Sequence, residues 1–456
     1  MQTFDVIIIG GGPAGYLAGE RAGAAGLSAA VIEKRALGGV CLNEGCIPSK
    51  AFLHSAKVYD YALHGDKYGV TAEGVAIDHS KVVKRKNKVV KMLVSGVAAG
   101  LKQHGAQVIT GEAVVTGKTP EGLFTVRVGE AEYAAKKLLI ATGSVPVTPP
   151  IPGVKEGLDN GFVLTNREIL DITEVPGELV VIGGGVIGLE MACYFATIGC
   201  KVTVIEMLEK IAGATDAEIS RILQKNLEKK GVTFRLGCKV TAVGGGAVTY
   251  EAQGQSQSVP ADKVLLSIGR RAFTQGLGLE ALGVYMERGA IVTDQQMRTN
   301  VPGIYAAGDV NGRSMLAHTA YRESEVAIHH LLGEKDVMRY HAIPSVIYTT
   351  PEVASVGETE ESAREKGFSV RAVTLSMRHA GRYLAEVEGG DGICKLVLDT
   401  TYNRLIGVHL IGSYASEMIY GAAMMIETEM RPEDIKEIVF PHPTVSEIIR
   451  EALFAL

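Results

Sequence analysis

Two cysteines five positions apart, Cys41 and Cys46, lie in a glycine-bracketed run that continues to Pro48 and Lys50. Thiols so placed can cycle between dithiol and disulfide, with one sulfur facing a bound cofactor and the other a substrate. On a helix, residues i and i+5 are offset, so a short local distortion is needed to bring the sulfurs together. Two buried thiols serving as small hydrophobes would be the plainer reading, but Gly45, Pro48 and Lys50 in the same register argue against it. Zinc ligand pairs prefer two to four intervening residues and a second pair, and no metal site is expected. Far along the chain, His442 stands between Pro441 and Pro443, with Glu447 five residues on. The prolines restrict the backbone, and the glutamate can hold one ring nitrogen. The other is left to take a proton from a thiol near working pH.

These groups need elements to position them, and the chain offers one such element twice. Gly10, Gly12, Gly15, Gly26 and Glu33 map onto Gly183, Gly185, Gly188, Gly199 and Glu206 at a constant offset of 173. Each copy follows an apolar strand, opens a small-residue helix and precedes an acid by 18 residues. In each, the first glycine permits a tight turn, the second admits a pyrophosphate and the third lets helix pack on strand. The helix N-terminus favours phosphate, and the acid accepts from ribose hydroxyls. Two such sites imply two dinucleotides. At the second, Glu206 would repel a 2′-phosphate and Met207-Leu208-Glu209 offers no arginine to neutralise one, so NAD is expected over NADP. The cysteine pair begins 26 residues after Gly15, so the first site is the one expected to hold a redox-active ring.

Composition narrows the class. With 456 residues, 46% of them hydrophobic and 21% charged, the chain suits about three soluble domains. A formal charge of −5 is too mild for nucleic acid or an anionic membrane. Cys193, Cys200, Cys238 and Cys394 are scattered and read as buried free thiols, which points to a reducing cytoplasm. The 22-residue stretch Leu179–Cys200 carries one charge, Glu190, and is long enough for a membrane span. Its glycines make it strand, turn and buried helix instead. No basic region precedes the apolar Val6–Ile9, so no signal or transit segment is expected. The basic run Lys81–Lys91 reads as a solvated helix face, and the His329-His330 doublet as surface or packing.

The cysteine run resembles the redox-active segment of the pyridine nucleotide-disulfide oxidoreductases, and its wording is nearest the dihydrolipoamide dehydrogenase branch. The resemblance extends from Val6 to Glu447 through several motifs. Ala141-Thr142-Gly143 resembles the exit from the flavin domain, and Thr299 to Asp309 the second flavin motif. His442-Pro443-Thr444 with Glu447 resembles the family's active-site base. The resemblance implies an α/β fold with two Rossmann-like dinucleotide-binding domains, for FAD and NAD, and a C-terminal α+β dimerisation domain. Its expected segments are 1–145 for most of the FAD domain, 146–265 for NAD, 266–335 completing the FAD site and 336–456 for dimerisation. The last is expected to be an antiparallel sheet with helices on one side.

The implied FAD residues are Gly10, Gly12, Pro13, Ala14, Gly15, Glu33, Lys34, Gly39, Val40, Cys41, Lys50, Ala113, Ala141, Thr142, Gly143, Asp309, Leu316, Ala317 and His318. For NAD they are Gly183, Gly185, Val186, Ile187, Gly188, Glu190, Glu206 and Gly269. Catalysis would rest on Cys41, Cys46, His442 and Glu447, with Lys50 held near the flavin by Glu190. The implied reaction oxidises a dihydrolipoyl group through the Cys41–Cys46 disulfide and FAD to give NADH. In the family this histidine serves the disulfide of the neighbouring subunit, so a homodimer is implied. No lipoyl-type domain fits before Val6, so the dihydrolipoyl group is expected on a separate carrier protein. That carrier would belong to a 2-oxoacid dehydrogenase complex or the glycine cleavage system.

Phe440 stands where that branch usually has a second histidine. Among rivals, reductases of glutathione or coenzyme A disulfides resemble the chain, but glutathione reductases carry arginines after the second acid. Mercuric reductases are disfavoured because no cysteine follows Cys394. A non-catalytic scaffold would need none of Cys41, Cys46, His442 and Glu447.

Overall fold

The computed structural model describes every residue, Met1–Leu456. It divides into two compact units, one of Met1–Ala51, Val83–Val147 and Gly269–Arg339, the other of Phe52–Val82, Thr148–Ile268 and Tyr340–Leu456.

The first unit is built on a seven-stranded sheet. Its centre is the apolar strand Gln2–Ile9, buried on both faces throughout Val6 to Ile9, as parallel strands between helical layers must be. It pairs in parallel with Ala29–Glu33 on one side and Ala131–Ile140 on the other, in the register Ile7 to Ala30 and Ile7 to Leu138. Gln107–Thr110 and Ile304–Ala306 add further parallel pairings, and Phe124–Val128 and Ala113–Lys118 finish the sheet antiparallel. Helices Pro13–Ala24 and Ala317–Leu331 belong to this unit.

In the second unit a five-stranded parallel sheet runs in the order Thr233–Arg235, Lys201–Ile205, Glu178–Ile182, Lys263–Leu266, Val163–Leu164. The helix Val186–Thr197 follows its central strand. The apolar stretch from Leu179 is thus strand, turn and buried helix, and no helix of the chain is long and apolar enough to cross a membrane. The last third forms a five-stranded antiparallel sheet whose longest members are Ile393–Asp399 and Arg404–Gly412. Helices Ala415–Glu427 and Glu447–Phe454 bury Met418, Ile419, Ile448 and Ile449 in the same apolar cluster as Leu396 and Val408 of that sheet.

One buried ion pair sits in this second unit. Lys395, on strand Ile393–Asp399, donates to Asp216 Oδ2 at 2.9 Å, while Asp216 Oδ1 caps the helix Ala217–Lys229 by accepting from the amides of Glu218 and Ile219. Burial alone would raise the Asp216 carboxyl, but the Lys395 ammonium and the capped amides hold it below the usual range. A depressed carboxyl contributes stability that is present above its unfolded-state value, near 4, and lost as pH falls through its folded-state value. Lys395→Met should cost about 3–5 kcal/mol at pH 7, because it strands a buried charge. The difference from the parent should shrink as urea unfolding is repeated toward pH 3. An equal difference at both pH values would remove the pair from the stability of this unit.

The basic run is not solvated throughout. It lies on the helix His79–Gln103, where Lys81, Lys84, Arg85, Lys88 and Lys91 are exposed but Lys86 is buried. The helical period explains it: Lys86 falls three and four residues after the buried Val83 and Val82, on the inward stripe. The histidine doublet packs, with His329 Nδ1 on Asp336 at 2.7 Å and His330 Nδ1 on the Tyr305 hydroxyl at 2.9 Å. Cys193, Cys200, Cys238 and Cys394 are buried free thiols.

Candidate functional site

The two glycine fingerprints fold alike, down to individual hydrogen bonds. Their helices, Pro13–Ala24 and Val186–Thr197, are 12 residues each. Gly10 (φ +109°) donates to Ile32 O at 2.8 Å, and Gly183 (φ +105°) donates to Ile205 O at 2.8 Å. Both positions are in the left-handed range that glycine tolerates. The acids behave alike too. Glu33 accepts from Gly11 N and Arg35 N, each at 2.7 Å, and Glu206 accepts from Gly184 N at 2.6 Å and Leu208 N at 2.8 Å. Those bonds clamp the turn and leave each carboxylate oxygen a second lone pair for a ribose hydroxyl.

The glycines divide into two kinds. A Cβ on Gly10 would lie 2.3 Å from Ala141 O, and one on Gly15 only 1.7 Å from Gly10 O. In the second copy, Gly183 would meet Ser267 O at 2.3 Å and Gly188 would meet Gly183 O at 2.4 Å. The chain itself demands glycine at these four places. Gly12 and Gly185 differ: their φ angles are −73° and −80°, which any residue adopts. A Cβ at Gly12 would meet nothing nearer than Gly39 Cα at 3.8 Å, and at Gly185 nothing within 4 Å. Neither helix start has a side-chain cap. Uncapped amides beside a glycine that the chain does not need fit a pyrophosphate lying against the backbone. The residues therefore fit a dinucleotide at both places.

In the first unit the cysteine run forms a short helix, Gly39–Glu44, that breaks at Gly45 (φ −149°, ψ −108°) before the helix Cys46–Leu63. The break supplies the local distortion that the i, i+5 spacing requires. Asn43 Nδ2 donates to Leu37 O and Gly39 O, and Arg35 pairs with the buried Glu44, so the short helix is fixed at both ends. Cys41 and Cys46 are thiols here, and a hydrogen bond between them is the main reason that the Cys41 thiol is raised. Burial raises it further, and the Lys50 ammonium opposes both.

The Asp309 charge adds a further, smaller push upward on the Cys41 thiol. Asp309 follows the strand Ile304–Ala306 and Gly308, and Ser144 Oγ donates to its Oδ2 at 2.5 Å. Arg270 in turn donates to Ser144 Oγ and Ser144 O, both at 2.8 Å. Burial raises the Asp309 carboxyl, and Ser144 and Arg270 moderate the rise. Beneath it the fully buried Glu323 accepts from Gly308 N at 2.6 Å and Asn311 Nδ2 at 2.8 Å.

The remaining residues of the first set spread over this unit. Val40 follows Gly39 in the short helix. Lys34 pairs with Glu112 at 3.2 Å and lies over the Phe273 ring, and Ala113 is buried at a strand start. Ala141 is buried, Thr142 donates to Phe273 O at 2.6 Å, and Gly143 has φ +70°. Leu316 is the N-cap of the helix that Ala317 and His318 open. Gly269, expected with the NAD residues, has φ +116° and falls instead in this first unit. Ser144, Arg270 and Glu323 were not singled out by sequence, nor were Tyr16 and Tyr321, whose hydroxyls meet at 2.5 Å.

In the second unit Val186 and Ile187 start the fingerprint helix, and Glu190 one turn on is buried, with Tyr348 N donating to its Oε1 at 3.0 Å. At the C-terminal end His442 Nδ1 lies 2.8 Å from Glu447 Oε1, and Thr444 N donates to Glu447 Oε2 at 2.9 Å. The Thr444 amide and His442 together hold the Glu447 carboxyl below the usual range, so it is ionised at neutral pH. With Nδ1–H donated to a carboxylate, Nε2 carries the free lone pair. The His442 side chain is 75% exposed, so that nitrogen faces outward.

A dithiol beside one dinucleotide cradle, with a second cradle in the same chain, defines an oxidoreductase that works between a nucleotide and a disulfide. The sequence pattern described as "Pyridine nucleotide-disulphide oxidoreductase" matches residues 4–324, and that family's dimerisation domain matches residues 343–453. The chain belongs to the pyridine nucleotide-disulphide oxidoreductase family. It is 39% identical over 463 residues to a dihydrolipoyl dehydrogenase of Mycoplasma pneumoniae, covering 99% of both chains. To dihydrolipoyl dehydrogenase 3 of Pseudomonas aeruginosa it is 40% identical, covering 99% of this chain and 97% of the other. Among solved structures, LpdA of Mycobacterium tuberculosis superposes with a TM-score of 0.90 at 26% identity, covering 100% of this chain and 99% of that one. The flavoprotein disulfide reductase RclA of Escherichia coli superposes with a TM-score of 0.87 at 28% identity, covering 100% of both.

Proposed function

We propose that this protein is a homodimeric dihydrolipoyl dehydrogenase. The observation that carries the reading is the Cys41–Cys46 thiol pair beside an uncapped nucleotide fingerprint, in a chain that matches relatives of that name along its whole length. The solvent-facing His442, stranded at the end of the segment that matches a dimerisation domain, supports a base that serves a partner's cysteines. The free buried thiols fit a cytoplasmic location.

In this reading, His442 Nε2 of the partner subunit takes a proton from one thiol of a dihydrolipoyl group. The thiolate attacks Cys41 Sγ of the oxidised pair, the Cys41–Cys46 bond breaks and Cys46 leaves as thiolate. The second dihydrolipoyl thiol then attacks the substrate sulfur of the mixed disulfide, releasing Cys41 and the cyclic lipoyl disulfide. Two electrons have passed to the cysteine pair and two protons to the protein. Glu447 stabilises the imidazolium formed on the way, and the Lys50 charge favours Cys41 as thiolate. FAD, held at the first fingerprint, would supply a two-electron acceptor for the dithiol, and NAD+, held at the second, would supply the final hydride acceptor. Gly10 to Gly15, Glu33, Ala141 to Gly143 and Asp309 would hold the first cofactor, and Gly183 to Gly188 and Glu206 the second. We assign Lys50 and the buried Glu190 to the catalytic residues. The proposed segments remain 1–145, 146–265, 266–335 and 336–456.

NADH formation from NAD+ and free dihydrolipoamide tests the reading, with NADPH plus oxidised glutathione run in parallel. Rapid NADH formation and a silent parallel lane are expected. Flavin present without lipoamide turnover would overturn the substrate and keep the redox disulfide. A higher catalytic efficiency with the 2′-phosphorylated nucleotide would overturn the role given to Glu206.

A further inference from the structure

Three parallel strands of the first unit end side by side, because Ile140 pairs with Ile9 on one strand and with Ala306 on another. Gly10 of the fingerprint, Ser144 and Asp309 therefore all follow strand ends at the C-terminal end of one sheet, where open α/β sheets take their ligands. Gly308 seats the acid against the fingerprint: a Cβ on it would lie 3.2 Å from Ala14 Cβ. Just beyond the sheet, Ser144–Pro146 pairs antiparallel with Arg270–Ala272, and Arg270 stands opposite Pro146. Val147 N to Gly269 O at 3.1 Å and Phe273 N to Gly143 O at 3.0 Å extend the pairing at both ends. Residues two apart on a strand share a face, so the Arg270 side chain reaches Ser144 along the diagonal.

Arg270, Ser144 and Asp309 form a one-way relay. Arg270 Nε donates to Ser144 Oγ and its Nη2 to Ser144 O, both at 2.8 Å. A guanidinium can only donate, so Ser144 Oγ accepts from it and keeps its single proton for Asp309 Oδ2, 2.5 Å away. The last member of such a relay has to receive, which a carboxylate does with either oxygen. Ser144 is buried, so the relay is shielded from water where its hydroxyl passes the bond on. Burial pushes the Asp309 carboxyl up and the other two members oppose the push, in agreement with that direction.

We infer that Arg270, acting through Ser144, is a positioning residue that holds the Asp309 carboxylate as a fixed acceptor for a hydroxyl of the FAD ribityl chain. The inference rests on the reading above that Asp309 holds the first cofactor, and it names what holds Asp309. Neither Arg270 nor Ser144 moves an electron or a proton in the reaction.

The test is the FAD dissociation constant, from the fluorescence of flavin released on diluting the holoenzyme, with the melting temperature of each flavin-free variant as a check on folding. Asp309→Asn and Ser144→Ala should each weaken FAD by about tenfold, the worth of a hydrogen bond to a charged group. The double variant should lose no more than about tenfold, because the hydroxyl acts only through the carboxylate, whereas independent sites would lose about a hundredfold. Ser144→Ala leaves the bond from Arg270 to Ser144 O in place, so it separates the relay from the pinning of the two strands. Arg270→Met should weaken FAD as Ser144→Ala does, and Met at the exposed neighbour Arg271 should not. Ser144→Thr keeps the hydroxyl and should bind as the parent does. Parental affinity in Ser144→Ala, a multiplied loss in the double variant, or an equal loss in Arg271→Met overturns the inference and leaves Asp309 a cofactor residue. So does a Ser144→Thr protein of parental melting temperature that binds no better than Ser144→Ala. Parental affinity in Asp309→Asn overturns the reading of Asp309 itself, and the relay falls with it.

Discussion

His442→Gln should lower the rate of dihydrolipoamide oxidation at neutral pH by about 10²–10⁴-fold, the usual worth of a positioned general base. The geometry says how the loss should look. Glu447 is held ionised by the Thr444 amide and the imidazole, so it fixes the Nδ1–H tautomer and leaves Nε2 to meet the thiol. In the variant, activity should return only at a pH where the substrate thiol ionises by itself. Flavin content should not change, because His442 lies far along the chain from either fingerprint and 75% of its side chain is exposed. Reduction of the cysteine pair by NADH should also survive. A variant with parental turnover at pH 7 would take His442 out of the reaction.

The second large effect separates two glycines three residues apart. Gly15→Ala should fail as a fold: its Cβ would sit 1.7 Å from Gly10 O, backbone that cannot yield without opening the turn. Overpacking of this kind costs about 1–3 kcal/mol where neighbours can move, and more where they cannot. Gly12→Ala should fold normally, since its φ of −73° is ordinary and the nearest atom is 3.8 Å away. What it should lose is flavin, because the methyl takes space that the fit to a pyrophosphate requires. Thermal unfolding of the apoproteins together with bound flavin read at 450 nm distinguishes the two. Gly12→Ala with full flavin would mean that the phosphates do not pass over this residue. Gly15→Ala with a parental apoprotein melting temperature would mean that the turn can open at little cost.

What could be read from sequence, and what could not, follows from how far apart the interacting residues lie. The fingerprints are legible because their pattern is local: Gly15 meets the backbone of Gly10 five residues before it, and Gly188 that of Gly183, although Gly10 and Gly183 are also pressed by the distant Ala141 and Ser267. The cysteine run is legible for the same reason, and the structure adds only that the break falls at Gly45. Burial along single helices is harder. Lys86 carries the same charge as its exposed neighbours and is told apart only by the stripe it shares with Val82 and Val83. Long-range partners leave no trace at all. Tyr16 and Tyr321 are 305 residues apart, and the carboxylate of Glu323 supports Gly308 and Asn311 from an unremarkable helix. No spacing rule connects such residues, because the sheet and the crossing helices, not the local chain, set their distance.

The repeated fingerprint has a historical consequence. Strand, turn, helix and acid recur at an offset of 173 with the same helix length and the same hydrogen bonds to Ile32 and Ile205. The copies part company just after the acid. At the places that correspond to Cys41 and Cys46, the second copy has Ala214 and Ile219, beside the Asp216-capped helix. This is the pattern of an ancestral module duplicated in tandem, with one descendant left as a plain nucleotide holder and the other supplied with sulfur. On that view, inheritance provided two ready-made docks, and a run of about a dozen residues brought sulfur to one of them, while the base at His442 comes from a distant part of the chain.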